Sequence, residues 1–185
     1  MEQSFNRISV DGDTSTNDTV MLLANRQSGV WNEEAFSQAL DMLTHRLALM
    51  ILQDGEGANK VVAFEVKNAR NEAEAKRAAK ALSNSLLVKT ALFGEDPNWG
   101  RIASTIGASG IACDEEKLVI RYDDLIVYSK ALPVLDEARE KAAAKIMKQP
   151  QFTICCDIGE GDATYTAYGC DLSYDYVKIN ADYRT

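Results

Sequence analysis

The chain has 185 residues, with 20 Lys and Arg against 28 Asp and Glu, which gives a formal net charge of -8 at pH 7. An acidic chain without a basic run lacks the electrostatic footprint of nucleic-acid binding. No apolar stretch reaches the roughly 18 residues that a membrane-spanning helix requires. The single histidine, His45, leaves room for at most one histidine-dependent catalytic site and for no histidine-rich metal site. We therefore expect no nucleic-acid partner and no membrane partner.

The N-terminal third predicts a strand, a polar loop and a long helix. Residues 4–10 predict a short strand, and the nine residues 11–19 are all of turn or capping types. Asn32 is a candidate N-cap for a helix over 33–53, because apolar residues recur there at helical spacing. Where that helix ends, two glycines flank Glu56 and would turn the backbone so that its carboxylate is exposed.

The rest of the chain alternates helices and strands before it ends in a run of strands. The predicted strands are at 61–67, 87–93, 118–122, 125–128, 152–157, 164–170 and 174–179. The predicted helices are at 71–86, around 102–108 and from Pro133 to Met147. The segment from 61 to 93 would form a β-α-β unit. This order indicates an α/β fold, in the form of α+β layers, with a soft domain boundary around 54–60.

The four cysteines, Cys113, Cys155, Cys156 and Cys170, show no CxxC spacing. Cys155 and Cys156 are adjacent, and neighbouring strand residues point to opposite faces of a sheet. Reduced structural thiols in a cytoplasmic protein account for this pattern. We therefore expect neither a disulfide framework nor a metal site.

The polar loop offers a first candidate site. Asp11 and Asp13 begin the pattern D-x-D-x-S after a predicted strand, which loosely resembles the nucleophile strand of haloacid-dehalogenase-type phosphatases. There an aspartate attacks phosphorus, its neighbour handles protons and Mg²⁺ helps to hold the phosphate, with Asp123-Asp124 as a second acidic pair. Such a site requires a long parallel sheet and a helix directly after the strand. The simpler alternative is a loop held by Asx and Ser/Thr turns.

Glu56 and the C-terminal residues are the other candidates. An exposed carboxylate between two glycines could hold the ammonium group of a substrate, although a helix-terminating loop explains the same residues. The predicted strand pattern continues almost to the last residue, which is unusual for a chain end and typical of a docked tail. No complete nucleophile–base pair is visible in the chain.

Four segments carry a much more specific pattern. They are SFNRISVDGDTSTNDT (4–19), LQDGEGANK (52–60), SLLVKTALFGEDPNWGR (85–101) and DYVKINADYRT (175–185). These segments closely resemble the β chain of ornithine acetyltransferase, the glutamate N-acetyltransferase of arginine biosynthesis. They follow the family's order with similar gaps and extend over the chain from end to end.

The resemblance implies a mechanism of acetyl transfer. Members of this family are made as one precursor that cleaves itself before a threonine. This new N-terminal threonine takes acetyl from N-acetylornithine and passes it to glutamate, with its own amine as the base. Residues of the α chain donate hydrogen bonds to the oxyanion. The resemblance implies no metal and no organic cofactor, and it leaves acetyl-CoA open as a second acetyl donor.

The resemblance also implies site residues, domains and a partner. Glu56, Asn180 and Thr185 match family positions that bind the substrate. Residues 1–59 would be the remainder of the nucleophile domain, an α/β sandwich, and 60–185 a smaller α+β domain whose tail returns to the active site. The partner would be the α chain, in a heterotetramer of two α and two β chains. Asn59 and Arg184 depart from a usual threonine and histidine.

The nucleophilic threonine of the family lies upstream of the matched segments, so we expect it upstream of Met1 and assign no catalytic residue to this chain. The resemblance thus predicts the C-terminal part of a β chain, which would be inactive by itself. The alternative within the family is a non-catalytic interaction module that only pairs with a partner.

Overall fold

A computed structural model describes residues 1–183, and within this range the centre is a six-stranded mixed sheet. The strand order is β1-β6-β2-β5-β3-β4. The strands are β1 Ile8–Ser9, β2 Val61–Ala69, β3 Val119–Tyr122, β4 Leu125–Tyr128, β5 Gln151–Asp157 and β6 Ala163–Cys170. β1 pairs parallel to β6 and β2 parallel to β5, whereas the other three pairs are antiparallel. The predicted α/β layered fold is confirmed.

Six α-helices and one short 3-10 helix, Phe5–Arg7, complete residues 1–183. The α-helices are α1 Glu33–Gln53, α2 Glu72–Asn84, α3 Leu86–Phe93, α4 Trp99–Ala108, α5 Glu137–Met147 and α6 Tyr174–Asp182. Each begins after a polar side chain that accepts a backbone N–H of its first turn, which satisfies one of the donors left open at a helix start. These caps are Asn32, Asn71, Ser85, Asn98, Asp136 and Ser173.

The main core lies between α2 and the middle of the sheet. On β2 the side chains of Val62, Phe64 and Val66 are fully buried on alternate positions, as expected for one face of a strand. The facing side of α2 consists of small residues, Ala75, Ala78 and Ala79, together with Leu82, and all four are fully buried. Small side chains allow the helix to lie close to the sheet, so α2 and β2 hold the middle of the fold together.

None of the helices within residues 1–183 is both long and apolar enough to span a membrane.

Two predicted strands are helices in the structure. Residues 87–93 lie in α3, because the Ser85 side chain accepts the N–H of Val88 and starts a new helix directly after α2. Residues 174–179 lie in α6, which is capped in the same way by Ser173. Both segments are short and apolar, and such runs do not distinguish strand from helix by periodicity. The predicted β-α-β unit is therefore wrong.

Two boundaries also differ. The predicted strand at 4–10 is a 3-10 helix followed by the two-residue strand β1. The helix predicted from Pro133 starts at Glu137, because Asp136 accepts the N–H of Arg139 and caps it there. The proposed division of the chain after residue 59 remains a prediction.

The four cysteines are free thiols. Cys155, Cys156 and Cys170 are buried, whereas Cys113 is half-buried. Burial raises the pKa of all four thiols above the ordinary value, so the reactive thiolate is scarce at neutral pH.

Thiol labelling checks this arrangement. In the folded chain at about pH 8, we expect a disulfide reagent such as DTNB to modify only Cys113, and slowly, because the thiolate is the nucleophile. In denaturant, all four thiols should react at once. Cys113→Ser should remove the labelling of the folded chain. Rapid reaction of two or more thiols in the folded protein would contradict the packing described here.

Candidate functional site

A groove of 1090 Å³ separates the N-terminal segment from the C-terminal helix α6. Asp11 and Asp13 line it from the loop after β1, Glu56 from the loop after α1, and Tyr176 and Asn180 from α6. The C-terminal end of α2 closes another side of the groove. Segments that are far apart in the sequence therefore line the same groove.

Two of the predicted site residues meet in this groove. The Nδ2 of Asn180 donates a hydrogen bond of 2.8 Å to Oε2 of Glu56, although 124 positions separate the two residues. The same Nδ2 donates to the backbone oxygen of Tyr176 at 3.0 Å, one helical turn earlier. Both side chains are exposed to solvent in the groove. Thr185, the third predicted residue, lies outside the described residues, as does Arg184.

Tyr176 is a groove residue that sequence reasoning missed. Its hydroxyl donates a hydrogen bond of 3.0 Å to Oδ2 of Asp11, so α6 contacts the loop after β1 as well as Glu56. Burial, with the adjacent Asp11 carboxylate, raises the pKa of Tyr176 above its ordinary value, which keeps the hydroxyl protonated as a donor. Tyr176 and Asn180 lie one helical turn apart. This spacing makes them neighbours because 174–179 is a helix and not the predicted strand.

The aspartates of the phosphatase alternative do not come together. Asp11 follows the two-residue edge strand β1, and its carboxylate accepts bonds from Tyr176 and from the N–H of Asp13. Asp123-Asp124 form the turn between β3 and β4, at the opposite edge of the sheet. Among residues 1–183 there is no group of three His, Cys, Asp or Glu side chains placed to bind a metal ion. The geometry does not support that alternative.

His45 does not belong to the groove. Its ring packs edge-on against Tyr168 of β6, with the ring centroids 5.2 Å apart. It is half-buried at the boundary between α1 and the sheet, in agreement with its position beside the apolar stripe of the helix.

Comparisons with known proteins give the family. The model of the ArgJ family matches residues 1–185. The chain belongs to the ArgJ family. The arginine biosynthesis bifunctional protein ArgJ of Wolinella succinogenes is 61% identical over 182 residues, which are 98% of this chain and 46% of that protein. The glutamate N-acetyltransferase of Methanocaldococcus jannaschii is 48% identical over 100% of this chain and 48% of its own length.

A solved structure supports the same family. The crystal structure of the arginine biosynthesis bifunctional protein ArgJ from Bacillus halodurans matches with a TM-score of 0.88 and 40% identity, over 97% of this chain and 87% of that chain. The resemblance noted from the four sequence segments is thus confirmed at the level of the family. The chain spans about half the length of the curated relatives it matches.

In this ArgJ-family chain, the loop that carries Glu56 lies directly under the start of α6. Gly57 has a φ of +66°, and a Cβ at this position would lie 2.5 Å from the backbone N of Tyr176 and 2.6 Å from Oγ of Ser173. Only glycine combines this backbone conformation with so close an approach. The DGEG pattern therefore has a steric reason as well as a chemical one.

Asn59 belongs to the support of this loop. Its Nδ2 donates to the backbone oxygen of Gly57 at 3.1 Å and to Oδ2 of Asp171 at 2.9 Å. Asn59 does not line the groove. Asn59 is thus a side chain that holds the loop.

The contact between Gly57 and α6 predicts a large and specific loss of stability. Gly57→Ala should lower the free energy of unfolding by about 2–4 kcal/mol, because it combines overpacking with a left-handed backbone. Urea denaturation of the 185-residue chain measures this change. Gly29→Ala is the matched control, since Gly29 has a φ of +64° but no atom within 4 Å of an added Cβ. Equal losses in the two variants would contradict the close approach of α6.

Proposed function

We propose that this chain provides the substrate-binding part of an acetyltransferase of arginine biosynthesis, which moves acetyl from N-acetylornithine to glutamate. The observation that carries the proposal is the contact between Glu56 and Asn180 in the groove. It joins a carboxylate and an amide that lie 124 positions apart in the matched family sequence. The names of the relatives, which include a glutamate N-acetyltransferase, favour the same reaction.

The pair has the chemistry to bind an amino acid. In this arrangement Asn180 donates to Oε2 of the Glu56 carboxylate. We propose that the other oxygen, Oε1, accepts a hydrogen bond from a substrate ammonium group. The amide oxygen of Asn180 is a second acceptor for the same group. N-acetylornithine carries its ammonium group on the side chain, away from the acetylated nitrogen, so the pair can hold this substrate throughout the first half-reaction. The ammonium group of glutamate is the group that receives acetyl, so the pair can hold it only until it is released as a neutral amine to attack.

The remaining chemistry follows the family mechanism. The threonine hydroxyl attacks the acetyl carbonyl, the amide C–N bond breaks, and the proton passes through the threonine amine to ornithine as it leaves. The amine of glutamate, once it has lost its ammonium proton, attacks the acetyl-threonine ester. The ester C–O bond breaks, and a proton of the attacking amine passes to the threonine oxygen and regenerates the hydroxyl. We propose that the nucleophile and the oxyanion donors come from the part of the relatives that this chain does not match. In this scheme Glu56 and Asn180 bind and orient the substrate.

The exposed apolar surface of α1 favours a partner chain that supplies the nucleophile and the oxyanion donors. Met42, Leu43, Leu47, Met50 and Ile51 on α1 are all exposed. The preceding segment also exposes large apolar residues, namely Val20, Met21, Leu22, Leu23, Val30 and Trp31. So extensive an apolar surface is typical of a protein interface. We propose that it contacts the α chain of the same enzyme, in a heterotetramer of two α and two β chains.

Reconstitution tests this proposal against the interaction module. The 185 residues alone should show no acetyl transfer from N-acetylornithine to glutamate. Mixing with the N-terminal half of the enzyme, cleaved before its threonine, should restore transfer, measured as N-acetylglutamate formed. Binding of the two parts without turnover would favour the module, and transfer by the 185-residue chain alone would contradict the division of groups proposed here.

Substitutions in the groove test the role of the pair. In the reconstituted enzyme, Glu56→Gln and Asn180→Ala should each raise the KM for both substrates by about 10–100-fold, since each removes a binding interaction to a charged group. The kcat should change much less. Glu115→Gln is the control, because Glu115 is an exposed carboxylate that does not line the groove. KM values equal to those of the control would argue against the pair.

A further inference from the structure

Asp171 is a buried carboxylate whose hydrogen-bond partners all come from the loop after α1. It follows β6 directly and is 3% exposed. Its Oδ1 accepts the backbone N–H of Asn59 at 2.7 Å and that of Lys60 at 2.9 Å. Its Oδ2 accepts the side-chain amide of Asn59 at 2.9 Å. A charged group buried with three donors forms a strong and directional anchor.

This anchor controls the position of Glu56. The loop turns back on itself through a hydrogen bond of 3.0 Å from the N–H of Ala58 to the oxygen of Gly55, so Glu56 lies at the tip of a closed turn. The turn is attached to the rest of the fold at its C-terminal side, by the bonds of Asn59 and Lys60 to Asp171. A change at Asp171 therefore moves the base of the turn that carries Glu56.

The same short segment also sets the position of Asn180. Ser173, two residues after Asp171, accepts the N–H of Tyr176 at 3.1 Å and starts α6. The segment itself is held by Lys89, which is 1% exposed and donates through Nζ to the backbone oxygen of Cys170 at 2.6 Å. The N–H of Leu172 in turn donates to the backbone oxygen of Lys89 at 3.1 Å. Residues 170–173 thus connect α3, the Glu56 turn and the Asn180 helix.

We propose that Asp171 is the positioning residue of the substrate site, which sets the distance between Glu56 and Asn180 without touching the substrate. This inference rests on the proposed function. Since the substrate ammonium group must meet both side chains at once, a displacement of the turn by about 1 Å weakens binding strongly. Asp171 acts through the loop, so its loss affects both amino-acid substrates alike.

Steady-state kinetics of the reconstituted enzyme tests this inference. Asp171→Ala should raise the KM for N-acetylornithine and for glutamate by about 10–100-fold, with kcat within about threefold of the parent value. Asp171→Asn keeps Oδ1 as the acceptor for the two backbone N–H groups, so its KM should rise only about two- to fivefold. This graded rescue separates positioning from a general loss of stability.

Glu74→Ala is the matched control. Glu74 is also a buried carboxylate, 6% exposed, and it accepts the backbone N–H of Ala112 at 3.3 Å, but it does not line the groove. Both alanine variants should lower the Tm, whereas only Asp171→Ala should raise the KM.

A lowered Tm in both alanine variants with an unchanged KM in both would overturn the role of Asp171. If Asp171→Ala fails to assemble, the KM of Asp171→Asn decides, and an unchanged value overturns the inference. Absence of transfer by the reconstituted parent enzyme would overturn the proposed function, and the inference with it. Transfer by the parent with equal KM in every Asp171 variant would overturn the inference alone.

Discussion

The docking of α6 onto the turn after α1 determines where the groove lies and which side chains line it. Gly57 allows the backbone of Tyr176 and the hydroxyl of Ser173 to approach closely, and Asp171 holds the same turn from beneath. Once α6 is seated, Tyr176 contacts Asp11 and Asn180 contacts Glu56. Asp171 and Ser173, which hold these contacts in place, are buried, whereas the Glu56–Asn180 pair is itself exposed. The site therefore depends more on its support than on the contact between its two polar groups.

Local signals in the sequence were sufficient for much of the fold. The helix after Asn32, the helix after Asn71 and the strand that became β2 were predicted because a cap or a clear period marks each of them. The same signals failed for α3 and α6. Each of these helices has a serine cap, but its short apolar run of β-branched and aromatic residues also favours a strand. Packing against the rest of the chain decided between the two, and packing is not visible in a local window.

The candidate site, like the fold, could be predicted from local sequence signals only in part. Glu56 was marked by its two glycines and Asn180 by the family resemblance, yet neither signal indicated that the two side chains touch. Asp171 and Tyr176 escaped notice because their partners lie more than 100 positions away in the sequence. The apolar spacing of α1 predicted the helix, but it did not show that most of these side chains are exposed in the structure. A helix whose apolar stripe has no cover within residues 1–183 agrees with a chain that spans about half of its relatives.

The most direct test of the account is a crystal structure of the reconstituted enzyme with ornithine bound. We expect an ammonium nitrogen of ornithine within hydrogen-bond distance of both Glu56 Oε1 and Asn180 Oδ1, with the turn still held by Asp171. Ornithine bound outside the groove, or in the groove with neither side chain in contact, would contradict the central claim that this pair forms the amino-acid site.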